Sequence, residues 1–292
     1  MNLNVFKEGN FIYFHNGIIE DKNVSLNNLN LTKDINLTII HDIDKDCNIE
    51  LILNEGISAK ILEIFYLNLD HDITVNKEII IKNNSSLDIT TIESSTKNIK
   101  AKVNINTKLS DNATINNKKL ALYLNEITES EKVLLEGIRA KYDNFNVLIN
   151  TLDLAQNNDL LVVHEKEDTE SIMRNFGIAK GNAILNINTN GIVKQGAKRS
   201  NVSQKSKGIL LDKNSTISAN PWLQIDEFDC LASHGAGIGA ISEEELYYLM
   251  SRGLTRLESE RIIIDGFVSP IYKEIENEKE KEEIINLVKK YL

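Results

Sequence analysis

Four fragments of this chain repeat one small pattern: Asn84-Ser85-Ser86-Leu87, Asn112-Ala113-Thr114-Ile115, Asn182-Ala183-Ile184-Leu185 and Asn214-Ser215-Thr216-Ile217. Each places a small residue after asparagine and an apolar residue two positions further on. Asparagine suits a turn because it tolerates left-handed backbone and bonds its own main chain. The small residue can then round a corner while the apolar residue points inward. Between these corners run short stretches rich in Ile, Leu and Val: Asn36–Ile40, Ile49–Leu53, Ile79–Ile81, Lys102–Ile105, Asn146–Ile149 and Leu160–Val163. They read as strands. The recurrence, irregular but within roughly 20–40 residues, lies in the solenoid range. In such a fold neighbouring coils cover one another and the ends need capping. A large β-sandwich is the alternative the pattern leaves open. Only two prolines occur, Pro221 and Pro270, and no Gly/Ser-rich linker breaks the first part of the chain. One continuous structure is therefore expected.

The texture changes near Ile241. Upstream, His234-Gly235-Ala236-Gly237-Ile238-Gly239 gives a backbone able to turn tightly or approach another surface closely, a hinge carrying one histidine. Ser242-x-x-Glu245 then predicts a capped helix start, and Leu246, Leu249 and Met250 follow at helical spacing with Tyr247 alongside. Gly253 ends that helix. Thr255 to Glu258 opens a second, which Gly266 is expected to close. Pro270 is expected to start a third, charge-rich segment with Ile275, Ile284, Ile285, Leu287 and Val288 on its apolar face. Its acidic stretch from Glu274 to Glu283 reads as a solvated face. Near the N-terminus, Phe11–Phe14 and Gly17–Ile19 suggest a hairpin that could cap the solenoid.

Ser233-His234-Gly235-Ala236, then Glu243 to Leu246 with Tyr248, then Ser251-Arg252-Gly253, then Gly266-Phe267 form a long ordered pattern. This stretch resembles the C-terminal signature of the SufB/SufD family, the scaffold subunits of the SUF iron–sulfur cluster assembly machinery. The resemblance is firm over roughly residues 200–270. It implies a mainly β fold, a right-handed parallel β-helix with a C-terminal helical subdomain. The expected division is an N-terminal cap at 1–34, a β-helix core at 35–241 and helices at 242–292 that dock an ATPase. The resemblance further implies a non-enzymatic scaffold working with a SufC-like ABC ATPase and a second SufB/SufD-type subunit. A compact chain with features of both members suggests a homodimer. A SufD-like role in a heterodimer with a separate SufB-like scaffold is the competing arrangement.

His234 is the leading candidate for chemistry, since a neutral imidazole is a good iron ligand. In the resembled family this position lies at the subunit interface and is implicated in cluster assembly. Cys230 is the soft ligand nearest to it. The two share parity in an extended strand, but four residues separate them by roughly 13 Å. Chelation of one iron would need a fold-back or a contribution from two chains. The cargo implied is a transient iron–sulfur cluster. SufB-type members carry a cysteine in the loop corresponding to Ser215–Asn220, and Ser215 takes its place here. They also flank the histidine with glutamates, where this chain has Ser233 and Gly235. The site is thus closer to SufD. On the helices, Tyr247, Tyr248, Met250 and Phe267 exceed what two short helices need for their own packing and are candidates for partner binding, and Arg252 is a candidate polar anchor for the ATPase that the resemblance implies.

Other chemistries find little support. Gly235-x-Gly237-x-Gly239 misses the dinucleotide fingerprint, and no Walker A or Gly-x-Ser-x-Gly sequence occurs, so no nucleotide is expected on this chain. His164-Glu165 begins like a His-Glu-x-x-His zinc site, but Asp168 replaces the second histidine, and the pair is read as surface. His15, His41, His71 and Cys47 show no convergent partners. Two cysteines and a net charge of −10 argue against a disulfide framework and against nucleic acid, the basic patches at Lys194–Lys207 being short. No signal peptide or long apolar run is apparent, so a cytoplasmic protein without a membrane span is expected. A carbohydrate-active solenoid enzyme would want aromatic platforms, and the chain has one tryptophan. A pure interaction module without metal is the third possibility.

Overall fold

The structure is a computed structural model that describes residues 1–68, 70–96, 100–151 and 153–292. After a 3₁₀ turn at Leu3–Lys7, β1 (Phe11–His15) and β2 (Ile18–Lys22) form an antiparallel hairpin, as the N-terminal pattern suggested. Asn16 and Gly17 both take left-handed backbone at its tip, the Asn-Gly signature of a tight hairpin turn. The solenoid follows as β3 (Asn30–Leu31), β4 (Ile35–Ile43), β5 (Cys47–Leu53), β6 (Ser58–Leu67), β7 (Ile73–Ile81), β8 (Ser86–Ser95), β9 (Lys100–Leu109) and β10 (Thr114–Leu122). It continues as β11 (Glu126–Leu135), β12 (Lys141–Asn150), β13 (Ala155–His164), β14 (Glu170–Ala179), β15 (Ile184–Val193), β16 (Ser200–Leu210), β17 (Thr216–Ile225) and β18 (Cys230–Ala240). Even-numbered strands from β4 to β18 stack in parallel into one sheet, extended at its start by the hairpin. Odd-numbered strands from β3 to β17 stack into the other. The result is a parallel β-solenoid of about eight coils with two facing sheets.

The corners behave as the repeat implied. Ser85, Ala113, Ala183 and Ser215 are buried, and Leu87, Ile115, Leu185 and Ile217 point into the lumen. Asn84 and Asn112 adopt left-handed backbone. In the corner before Asn182 that conformation falls to Gly181 instead. Register then propagates one coil at a time: the Asn112 amide donates to Asn84 Oδ1 at 2.9 Å across 28 residues. Along each strand the alternation puts every second side chain into the lumen. That interior holds the main core, from Ile12 and Leu31 at the hairpin end to Ile217 near the other.

A second core lies outside the even-strand sheet. Ile40, Ile64, Ile92, Leu120, Val147, Ile149 and Ile178 face away from the lumen and would be exposed in a bare solenoid. Two helices cover them, α2 (Arg256–Tyr272) and α3 (Glu278–Tyr291), through Ile264, Val268, Ile271, Ile284, Val288 and Tyr291. The smaller α1 (Glu243–Ser251) precedes them. Its N-cap is Ser242, whose hydroxyl accepts the Glu245 N–H at 3.4 Å. The full reciprocal box forms at Thr255 and Glu258. Gly253 follows α1 with left-handed backbone, as expected.

Two helix boundaries differ from the expectation. Gly266 does not close the second helix, and Pro270 does not open the third: both lie inside α2, and α3 starts from the Asn277 cap. Pro270 is tolerated because it falls in the last turn, and its ring meets the turn at Gly266, which has no side chain to add to the crowding. The buried apolar face of α2 continues past the proline to Ile271, and that burial carries the helix on.

Candidate functional site: the open end of the solenoid

The last coil is not covered. β18 bonds only to β16 and β17 only to β15, so each is the terminal strand of its sheet among the described residues. Each leaves a row of main-chain donors and acceptors without a strand partner, a ready template for another chain. The burial of side chains collapses here: all of β18 except Cys230 is exposed. Large apolar side chains gather around this end. Phe228 is fully exposed, Trp222 is 50% exposed, and Leu231, Ile225 and Ile238 are exposed beside them. Contiguous exposed apolar patches of this kind are the usual sites of contact with another molecule.

His234 lies in the middle of β18, in register with Gln204, Met173 and Asn144 on successive coils. In a parallel in-register sheet such a column shares one face. His234 therefore caps a column whose earlier members are buried in the lumen. Cys230 begins the same strand opposite Ser200. Its thiol donates to the Glu227 carbonyl at 3.2 Å, and burial, followed by the nearby Glu227 and Asp229 carboxylates, pushes it up. The residue is thus held as a thiol. The strand from Cys230 to Ala240 is unbroken, so the two candidate ligands stay roughly 13 Å apart within one chain. Among the described residues no three His, Cys, Asp or Glu side chains converge as a metal centre would require.

The expected hinge is a straight strand. Gly235, Gly237 and Gly239 avoid left-handed backbone, and a Cβ at any of them would meet open space. This chain's own conformation does not demand glycine there, and the alternating bare positions leave one face of β18 open to close approach. The Ser215–Asn220 segment is also not a loop. Ser215 is a corner residue whose hydroxyl donates to the Asp212 carbonyl at 2.7 Å, and β17 starts at the next residue.

Of the helical candidates, Tyr247, Tyr248, Met250 and Arg252 share the exposed surface of α1 and its C-terminal cap. Tyr247 is 76% exposed. The Arg252 guanidinium stacks 5.2 Å from the Tyr248 ring centroid and donates to its hydroxyl at 3.2 Å. Phe267 is elsewhere: its ring lies 5.5 Å from that of Phe176 and holds α2 against the solenoid. Arg256 ties α1 to α2 by a two-pronged contact with Glu243 at 2.8 and 3.1 Å.

Sequence reasoning missed a polar track inside the lumen. Lys77 donates to both oxygens of buried Glu63, Thr91 donates to the same carboxylate, and His41 lies 3.4 Å away. Lys119 pairs with Glu129, which also accepts from Asn158 at 3.2 Å. Tyr142 donates to Glu131 at 3.0 Å, and Asn146, Asn175 and Thr189 form a bonded chain toward the open end. Burial raises Glu63, but Lys77 and then His41 pull it further, to well below the usual carboxylate range. Glu93 goes the other way, raised first by burial and then by Glu129. The usable signal was parity, because these charges occupy inward positions of otherwise apolar alternation, as in Ile127-x-Glu129-x-Glu131-x-Val133. His164, expected on the surface, is also in the lumen. Its two ring nitrogens bond Thr169 and Ser171, both at 2.8 Å, and burial lowers it to about 4. It ends β13 on an inward position, which the apolar run before it conceals.

Parallel coils, a strap of helices and an open terminal strand carrying histidine define a β-solenoid protein whose last coil is presented outward. The sequence model described as "SUF system FeS cluster assembly, SufBD core domain" matches residues 47–267. The chain belongs to the SufBD family. It is 31% identical over 148 residues to the iron–sulfur cluster assembly protein SufD of Bacillus subtilis, covering 51% of this chain and 34% of that protein. It is 26% identical over 289 residues to SufB of the same organism, covering 94% of this chain and 58% of that protein. A SufBD family protein of Mycobacterium bovis is 32% identical over 143 residues, 49% of this chain and 17% of its own length. The chain thus spans only part of each relative. No helix among the described residues is long and apolar enough to cross a membrane.

Proposed function

We propose that this protein is a scaffold subunit of SUF-type iron–sulfur cluster assembly, pairing with a second copy through β17 and β18 and carrying an ABC-type ATPase on α1. The observation that carries the reading is the open last coil: two terminal strands and a cluster of exposed apolar side chains, with His234 and a glycine-alternating face on opposite sides of β18. Two-fold pairing there would bring one His234 and one Cys230 from each copy into a shared interface, supplying from two chains the ligands that one straight strand cannot bring together. The cluster is cargo, and the residues offered to it are the His234 imidazole and the Cys230 thiol once deprotonated. The exposed group Tyr247, Tyr248, Met250 and Arg252 has the aromatic and arginine character of a contact hot spot. ATPase motion delivered at α1 would reach the solenoid through Arg256 and α2 and the terminal strand through the short 241–242 link.

Native mass spectrometry of the tagged chain, purified anaerobically from its own cells, tests this. Deleting the helices would bare Ile64, Ile92 and Val147, so point variants are the right control. Recovery of an ABC-type ATPase with the parent, and its loss with Tyr247→Ala and Tyr248→Ala, supports the reading. Absence of any ATPase from the parent sample rejects the docking role. The subunit count decides between two copies of this chain and one copy beside a different SufB-like subunit. The second arrangement draws on Ser215, which is built into a corner and offers no thiol.

A further inference from the structure

A cavity of about 250 Å³ opens on the outer face of the even-strand sheet, between Glu8–Asn10, the β4, β6 and β8 strands and the turn that leads into α3. Leu62 and Ile275 supply apolar wall, and Thr38 and Thr90 supply hydroxyls. Four glutamates line it, and three already have lysine partners. Glu276 pairs with Lys60 at 2.6 Å, Glu274 with Lys118, and Glu8 with Lys279 at 2.7 Å. The fourth, Glu280, is only 5% exposed, yet among the described residues no hydrogen bond or ion pair reaches its carboxylate. A buried carboxylate without a partner is costly, and a cationic ligand would supply the missing partner.

We propose that this cavity binds a primary alkylammonium ion, its charge meeting Glu280 and its carbon chain lying along Leu62 and Ile275. One unpaired carboxylate calls for one positive charge. A divalent metal would want three or more convergent ligands, which the described residues do not offer here. The volume holds roughly eight water-sized groups, enough for an amino group on a short aliphatic chain. The same chemistry comes from a free diamine or from a lysine side chain of another protein. The site is independent of the scaffold reading, since it lies on the flank of the solenoid and not at its open end.

Charge at the site follows pH. The charged groups lining the cavity with Glu280 are Glu8 from the N-terminal segment, Lys60 from β6, and Glu274 and Glu276 from the connecting turn, while Lys279 on its own helix pairs with Glu8. Burial, then Glu8, raises Glu280 to about 7. Alkylamines keep their proton up to about pH 10, so binding is lost on acidification through the carboxylate.

Isothermal titration calorimetry on the full chain tests the proposal, with n-butylammonium, 1,4-diaminobutane and the peptide acetyl-Ala-Lys-Ala-amide as probes and 1-butanol as the neutral control. Saturable binding of an ammonium probe at about pH 8, weaker by about tenfold at about pH 6 and in Glu280→Gln, is expected. Binding by the small amines points to a free amine, and binding by the peptide alone points to a protein lysine; either supports the site. The proposal falls if no ammonium probe saturates, if 1-butanol binds as well, or if Glu280→Gln binds unchanged. Should that variant fold poorly by circular dichroism, the ammonium–alcohol comparison and the pH dependence on the parent chain still decide.

Discussion

Lys77 reaches from the odd-strand sheet across the lumen and places its ammonium 2.6 and 2.5 Å from the two carboxylate oxygens of Glu63 on the even-strand sheet. Both side chains are almost fully buried. The pair joins the two sheets at one height and disfavours any slip of register that would part them.

Lys77→Met should leave Glu63 buried beside only Thr91 and His41, and stability should fall by about 3–5 kcal/mol. Glu63→Gln combined with Lys77→Met should recover much of that loss, because no uncompensated charge remains. Urea unfolding of both single variants and the double variant measures the coupling. Strict additivity would mean that the two residues do not act as a pair.

His164 makes stability depend on pH. Its imidazole is neutral in the fold and is lowered to about 4 by burial, while in the unfolded chain it takes a proton near pH 6.5. Between those values the unfolded state binds the extra proton, so stability is complete above about 6.5 and is lost as pH falls, by up to about 3 kcal/mol. Glu280 acts with the opposite sign over part of this range. The difference between the parent and His164→Asn isolates the histidine, and that difference should shrink as pH falls from about 7 to about 4.5. A constant difference would contradict the assignment.

Two glycines should separate folding from association. A Cβ on Gly137 would lie 2.0 Å from the Ser110 carbonyl carbon, so Gly137→Ala should cost about 3 kcal/mol or prevent folding. A Cβ on Gly235 meets nothing. Gly235→Val should therefore leave the melting temperature of isolated chains almost unchanged and, on the proposed pairing through β18, weaken self-association, read by sedimentation velocity over a concentration series. An unchanged dimer would remove β18 from the interface.

The Arg252–Tyr248 stack is exposed and adds little to the fold, so Tyr248→Ala should change stability by less than about 0.5 kcal/mol. On the proposed docking of an ABC-type ATPase at α1, the same variant should weaken its capture by about thirtyfold, measured by surface immobilisation of the parent and the variant. Thr255→Ala serves as the opposite control: it removes a helix cap worth about 1 kcal/mol without touching that surface.

The solenoid was legible because its corners are local chemistry. Asn84 and Asn112 carry a conformation that few residues accept, and Leu87 and Ile115 announce the inward face. Arg139, Asp168 and Arg199 hold the same left-handed backbone at later corners and gave no such signal, since their side chains usually mean something else. Strand β11 was hidden for a different reason. Thr128-Glu129-Ser130-Glu131-Lys132 looks like a polar loop until stacking pairs Glu129 with Lys119 and Glu131 with Tyr142. The candidate histidine at 234 was found from its neighbours, but the straightness of its strand depends on pairing with β16, which no local pattern records.

Lys60 and Lys118 stand on strands two coils apart and are gripped by Glu276 and Glu274, two residues of a single turn. Coils stack about 4.8 Å apart, so the helical strap is a gauge cut for a span of roughly 10 Å. Phe267 on Phe176 of β14 extends the same gauge toward the open end. A coil inserted between these two lysines would put one of them out of reach. A change in coil number between β6 and β10 is therefore disfavoured by the grip of one turn.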